Sequence, residues 1–170
     1  MERTSNAVTA ASLQRSARAL VKKLLLRGET LSTAESCTGG LIAKALTDIP
    51  GSSAAFVGAC VTYTNEVKIS LLGVFPETIE RDSEVSDSCA KEMATGVRER
   101  LHSTYAISTT GYAGPGGGTE KNPVGTVYIA LATEHTVRCE RFTAPDGCTR
   151  SGVRNAAAKR AIEMLLEGLE

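Results

Sequence analysis

Short β-branched runs separated by longer stretches of helical period constrain this chain more than any other feature. Ala10, Leu13, Ala17, Leu20, Val21, Leu24 and Leu25 recur at three- and four-residue steps among Arg18, Lys22, Lys23 and Arg27, which predicts an amphipathic helix that Gly28 ends. Glu29 to Ala34 then reads as a short buried strand, and Leu41, Ile42, Ala45 and Leu46 resume the helical spacing. Val57 to Tyr63 reads as a strand with Val57, Ala59, Val61 and Tyr63 on one face. Asn65 to Leu72, a short piece from Pro76 and Asp87 to Leu101 are helical, and Tyr105 to Thr109 is a strand. Residues 125–133 and 137–142 alternate as a hairpin about Glu134-His135-Thr136, and a last helix from about Cys148 carries Val153, Ala156, Ala157, Ile162, Leu165 and Leu166. Alternating helices and strands bury their apolar faces by stacking in layers. The expected fold is α/β, a layered sandwich with a central mixed β-sheet covered by helices, and 170 residues suit a single domain over 1–170.

Charge narrows the partners. The 19 basic residues balance the 19 acidic ones, so no net field draws in nucleic acid or an anionic membrane. No apolar run approaches the roughly 20 residues of a membrane span, and a cytoplasmic location is the expectation. The five cysteines (Cys37, Cys60, Cys89, Cys139 and Cys148) include no CxxC pair, and His102 and His135 stand alone. Neither a disulfide framework, a metal site nor a cofactor is expected from them.

Three stretches carry chemistry. Glu35-Ser36-Cys37-Thr38-Gly39-Gly40 lies between a strand and a helix, an arrangement that aims free N–H groups at an anion; Ser36 or Thr38 could equally be a plain helix cap. Cys37 sits where a helix N-terminus would lower its pKa, making it a rival nucleophile to the serines. Pro50-Gly51-Ser52-Ser53 precedes the strand ending at Tyr63, with Lys68 five residues beyond in the first turn of a helix. A hydroxyl, a phenol and an amine placed together can run acyl transfer without histidine, because a desolvated amine becomes a usable base. Thr110-Gly111-Tyr112-Ala113-Gly114-Pro115-Gly116-Gly117-Gly118-Thr119 follows a strand directly and lets main chain approach a ligand closely.

AESCTGG (34–40), PGSSAAF (50–56), VTYTNEVK (61–68), GYAGPGGG (111–118) and NPVGTVYIA (122–130), taken in order, resemble the CinA C-terminal domain family, and in particular its stand-alone nicotinamide-nucleotide amidases. The resemblance runs from roughly Glu29 to Arg154. It implies hydrolysis of the carboxamide of nicotinamide mononucleotide to nicotinic acid mononucleotide and ammonia, without metal or cofactor, by a homodimer or higher homo-oligomer. It also implies Ser53 as nucleophile, Tyr63 and Lys68 as its activating partners, and substrate contacts from Ser36, Gly51, Thr110, Gly114 and Arg154, with Arg150 close by as an alternative to Arg154. The chain departs from the family where Val57-Gly58-Ala59-Cys60 replaces a glycine-richer run and where Thr64 replaces a common serine. The family's longer proteins carry a further N-terminal domain with pyrophosphatase activity, and that activity is not transferred to this chain. A catalytically silent nucleotide-binding module and an amidohydrolase using Cys37 are the competing readings.

Overall fold

The computed structural model describes residues 10–169. Its elements, in order, are α1 (Ala10–Arg27), β1 (Leu31–Glu35), α2 (Leu41–Thr47), a 3₁₀ turn (Ser52–Ala54), β2 (Phe56–Val61), α3 (Asn65–Leu72), α4 (Pro76–Asp82), α5 (Asp87–Leu101), β3 (Tyr105–Gly111), β4 (Thr126–Ala132), β5 (Val137–Thr143) and α6 (Arg150–Gly168). The strands form one five-stranded sheet in the order β2-β1-β3-β4-β5. β1 is parallel to β2 and β3, while β4 runs antiparallel to β3 and β5, so the sheet is mixed as expected.

Strand alternation feeds two cores. Leu31, Ile107, Val127, Ile129 and Leu131 face one side and pack with α1, α2 and α6 through Leu20, Leu24, Ile42, Leu46, Ile162 and Leu165. Ala34, Ala106, Tyr128, Ala130 and Ala132 face the other and pack against Cys89, Ala90, Met93, Ala94 and Val97 of α5. β1 and β4 are buried along their whole length because helices cover both faces, which is why they read as apolar or small-residue runs. The edge strand β2 carries Val57, Ala59 and Val61 on one face, as the alternation predicts, and that face is the exposed one, Val57 at 47% and Val61 at 49%. Its less exposed positions are Phe56, Gly58 and Cys60, on the face turned towards the neighbouring helices.

One close approach fixes how α3 meets α5. A methyl group on Gly96 would run into the main-chain carbonyl of Leu72 at the end of α3. Gly96→Ala is therefore expected to lower the thermal midpoint by roughly 3–10 °C, the range for overpacking in a domain of this size. A scan in which the variant melts with the wild type would contradict that contact.

Candidate active site

β1 lies between two parallel neighbours reached by helices on opposite faces: α2 leads from β1 to β2 on one side, and α3 to α5 lead from β2 to β3 on the other. The crevice beyond the C-terminal ends of such strands is where open α/β sheets bind ligands. A cavity of about 230 Å³ opens there, with Ser36, Cys37, Lys68, Glu84, Thr110, Gly114 and Arg150 among its walls.

The loop carrying Ser36 is shaped by the residue before it. Glu35 is fully buried. Its carboxylate accepts from the N–H groups of Gly40 (3.0 Å), Ile42 (3.1 Å) and Ala43 (2.9 Å) and from the hydroxyl of Thr38 (2.7 Å). The helix N-terminus that the sequence offers to an external anion is thus filled by the chain's own carboxylate, a correction with a simple cause: Glu35 ends β1 on the face that α2 covers. Arg154 braces the same loop from behind, Nε donating to the carbonyl of Cys37 (3.1 Å) and Nη2 to that of Thr38 (2.9 Å).

Ser36 meets Lys68. Lys68 is 1% exposed as a residue, and its Nζ donates to Thr62 O (2.8 Å), to Tyr63 O (3.4 Å) and to Ser36 Oγ (3.1 Å). Burial pushes its pKa below the ordinary 10.5, against the nearby negative charge of Glu84, which raises it. A neutral amine has two N–H groups and one lone pair. In that neutral form, with the two carbonyls taking the N–H groups, Ser36 Oγ would donate to the lone pair, whereas the charged amine donates to Ser36 Oγ. Next to Ser36, the main-chain N–H groups of Cys37 and Thr38 donate to no main-chain carbonyl among the described residues.

Ser53 and Gly51 lie elsewhere. The 3₁₀ turn that holds them leads into the start of β2, level with Leu31 at the start of β1. The six residues of β2 separate it from the cavity, about 15–20 Å at the rise of an extended strand. Ser53 is exposed and is not brought to Tyr63 or Lys68. Tyr63, a residue 60% exposed, lines the cavity but touches the lysine amine only through its main-chain carbonyl; its phenol accepts from Arg150 Nη2 at 3.1 Å. Thr110 and Gly114, for which the resemblance implies substrate contacts, line the cavity. Gly114 adopts φ 83°, and a side chain there would strike Val124. Of the two arginines, Arg150 is the one in the cavity wall, its Nη1 donating to the Gly114 carbonyl at 2.6 Å. Cys37 is buried, and burial pushes its thiol up to about 12, the reverse of the shift expected from a helix N-terminus. Glu84 is the wall residue that pattern reading missed, because nothing in its local sequence marks a carboxylate as facing a cavity.

A layered α/β domain with one charged cavity at the strand crossover is the class that fold and site define. The chain belongs to the CinA C-terminal domain family, which it matches over residues 13–169. A CinA-like protein from Cyanothece sp. is 51% identical over 146 residues, covering 86% of this chain and 35% of that protein. One from Myxococcus xanthus is 48% identical over 153 residues, covering 89% and 36%. The chain therefore spans about a third of the length of these curated relatives. Among solved structures, the competence/damage-inducible protein CihA from Agrobacterium tumefaciens superposes with a TM-score of 0.88 at 41% identity, over 92% of this chain and 94% of that one. A CinA superfamily protein from Escherichia coli gives 0.87 at 32% identity, over 98% of each.

Proposed function

We propose that this chain hydrolyses the carboxamide of nicotinamide mononucleotide to nicotinic acid mononucleotide and ammonia, with Ser36 as nucleophile and Lys68 as its base. The observation that carries this reading is the buried, desolvated Lys68 amine 3.1 Å from Ser36 Oγ on a cavity wall. Ser36 Oγ attacks the amide carbon and its proton passes to Lys68 Nζ. The N–H groups of Cys37 and Thr38, which no main-chain carbonyl engages, flank the nucleophile and would serve as donors for the tetrahedral oxyanion. Lys68 returns the proton to the leaving nitrogen, ammonia departs, and an ester to Ser36 remains. Water, deprotonated by the same amine, opens that ester and regenerates the hydroxyl. Arg150, which has no carboxylate partner among the described residues, suits the phosphate of the nucleotide. Tyr63 holds Arg150 rather than relaying a proton.

The test is ammonia release from nicotinamide mononucleotide by the purified protein, with free nicotinamide as the control substrate. Turnover of the nucleotide is expected, retained within about twofold in Ser53→Ala and Cys37→Ala, which change no group in the proposed chemistry. A protein that binds the nucleotide and releases no ammonia would overturn the amidase reading, and loss of activity in Ser53→Ala would return the nucleophile to that residue. A second expectation concerns pH. Lys68 acts only when neutral, so kcat/KM should climb with pH and level off as the amine loses its proton, with a midpoint below 10.5 because burial lowers that pKa. A profile flat from pH 6 to 9 would exclude Lys68 as the base only if accompanied by activity in Lys68→Met.

A further inference from the structure

Glu84 is the only acid among the residues lining the cavity. Its negative charge acts on both Lys68 and Cys89, yet no ion pair joins it to Lys68 or Arg150 among the described residues. One carboxylate oxygen accepts from Ser83 Oγ at 3.0 Å, and the other has no donor within the described protein. The turn that presents it is tightly held. Ser83 adopts φ 77° and ψ 161°, a combination that side-chain-bearing residues rarely take and that collects at functional sites. Thr110 Oγ1 donates to the Glu84 carbonyl at 2.7 Å, and Asn122 Nδ2 to the Val85 carbonyl at 3.0 Å. Tyr128 in turn fixes Asn122 through a bond of 3.1 Å.

A carboxylate presented this way opposes a purely anionic ligand. It complements a ligand whose reacting end is positive while its other end is negative. We propose that Glu84 selects a cationic N-substituted pyridine carboxamide, making the substrate class of this cavity a zwitterion: positive ring towards Glu84 and Lys68, anion towards Arg150. This rests on the amidase reading for the identity of the amide. In the oxidised mononucleotide the ring nitrogen carries that positive charge; in the 1,4-dihydro form the ring is neutral, with ribose, phosphate and carboxamide unchanged.

The experiment compares calorimetric dissociation constants of nicotinamide mononucleotide and its 1,4-dihydro form in Ser36→Ala, which reads binding without turnover, and in Ser36→Ala/Glu84→Gln. Glutamine keeps the shape and the acceptor for Ser83 and removes the charge. With Glu84 present, the oxidised form should bind about tenfold or more tightly than the reduced form, and Glu84→Gln should abolish that preference by weakening the oxidised form alone. Equal weakening of both forms would assign Glu84 to holding the turn, and an unchanged ratio would assign it to setting the charge on Lys68; either overturns the proposal. An intact preference in Ser36→Ala together with no ammonia release by the wild type would remove the amidase reading and leave the charge selection standing. Failure of both forms to bind would remove both.

Discussion

Ser36→Ala is expected to lower kcat for ammonia release by about 10⁴-fold or more, with Lys68→Met costing nearly as much, the scale on which nucleophile and base act as one unit in serine-based hydrolases. Since the two side chains touch at 3.1 Å, the losses should not add: Ser36→Ala/Lys68→Met should be no slower than the worse single variant. Lys68→Arg should be as inactive as Lys68→Met, because a guanidinium keeps its proton and cannot accept another. Steady-state rates beside circular dichroism spectra check this. Additive losses would mean that Ser36 and Lys68 serve separate steps, and an active Lys68→Arg would mean that the lysine supplies charge, not a lone pair.

Glu35→Ala should be the most destabilising single change at the site. Truncation leaves the N–H groups of Gly40, Ile42 and Ala43 facing a buried gap, while Thr38 can still turn to Thr109 at 2.7 Å. Three unpaired buried donors at about 1–3 kcal/mol each imply a loss of roughly 3–6 kcal/mol after partial relaxation. That is a large share of a typical domain's stability and roughly 10–20 °C in thermal midpoint. Glu35→Gln keeps one acceptor oxygen and brings an amide N–H₂ against N–H donors, so it should fall between alanine and wild type. Urea unfolding followed by fluorescence-independent far-ultraviolet circular dichroism measures both. A change under about 1 kcal/mol in Glu35→Ala would show that α2 keeps its N-terminus satisfied without the carboxylate.

Most elements were legible from spacing alone. α5 spans Asp87–Leu101 as its pattern predicts, and the β4–β5 hairpin lies within two residues of its alternating runs. Helical period and β-branched alternation are local signals, and burial of one face acts on them directly. The mixed sheet is also as expected, although the parallel pairing of β1 with both β2 and β3 is a matter of long-range register. The site was half legible. Lys68 stood out as an amine in an early helical turn among apolar residues, and Thr110 and Gly114 through the glycine-rich loop that follows β3. The serine did not. Ser53 is nearer to Tyr63 and Lys68 in the chain, but a parallel strand carries its two ends to opposite edges of the sheet, and β2 stands between them. Ser36 is 32 residues from Lys68 and reaches it because the pairing of Glu35 with Val61 aligns the ends of β1 and β2.

The same division explains the arginines and the acids. Arg150 and Arg154 are one helical turn apart on α6, so spacing gives them one face; the position of the helix N-terminus decides that Arg150 overhangs the cavity and Arg154 braces the loop behind it. By itself the sequence determined the layered α/β fold, the family and the loops that border the cavity, since these follow from period, composition and short motifs that each depend on near neighbours. Only the tertiary structure decided that Ser36 meets Lys68, that Glu35 fills the helix N-terminus and that Glu84 faces the cavity. Those contacts depend on strand direction and register, which bring distant residues within hydrogen-bond reach and separate residues adjacent in the chain.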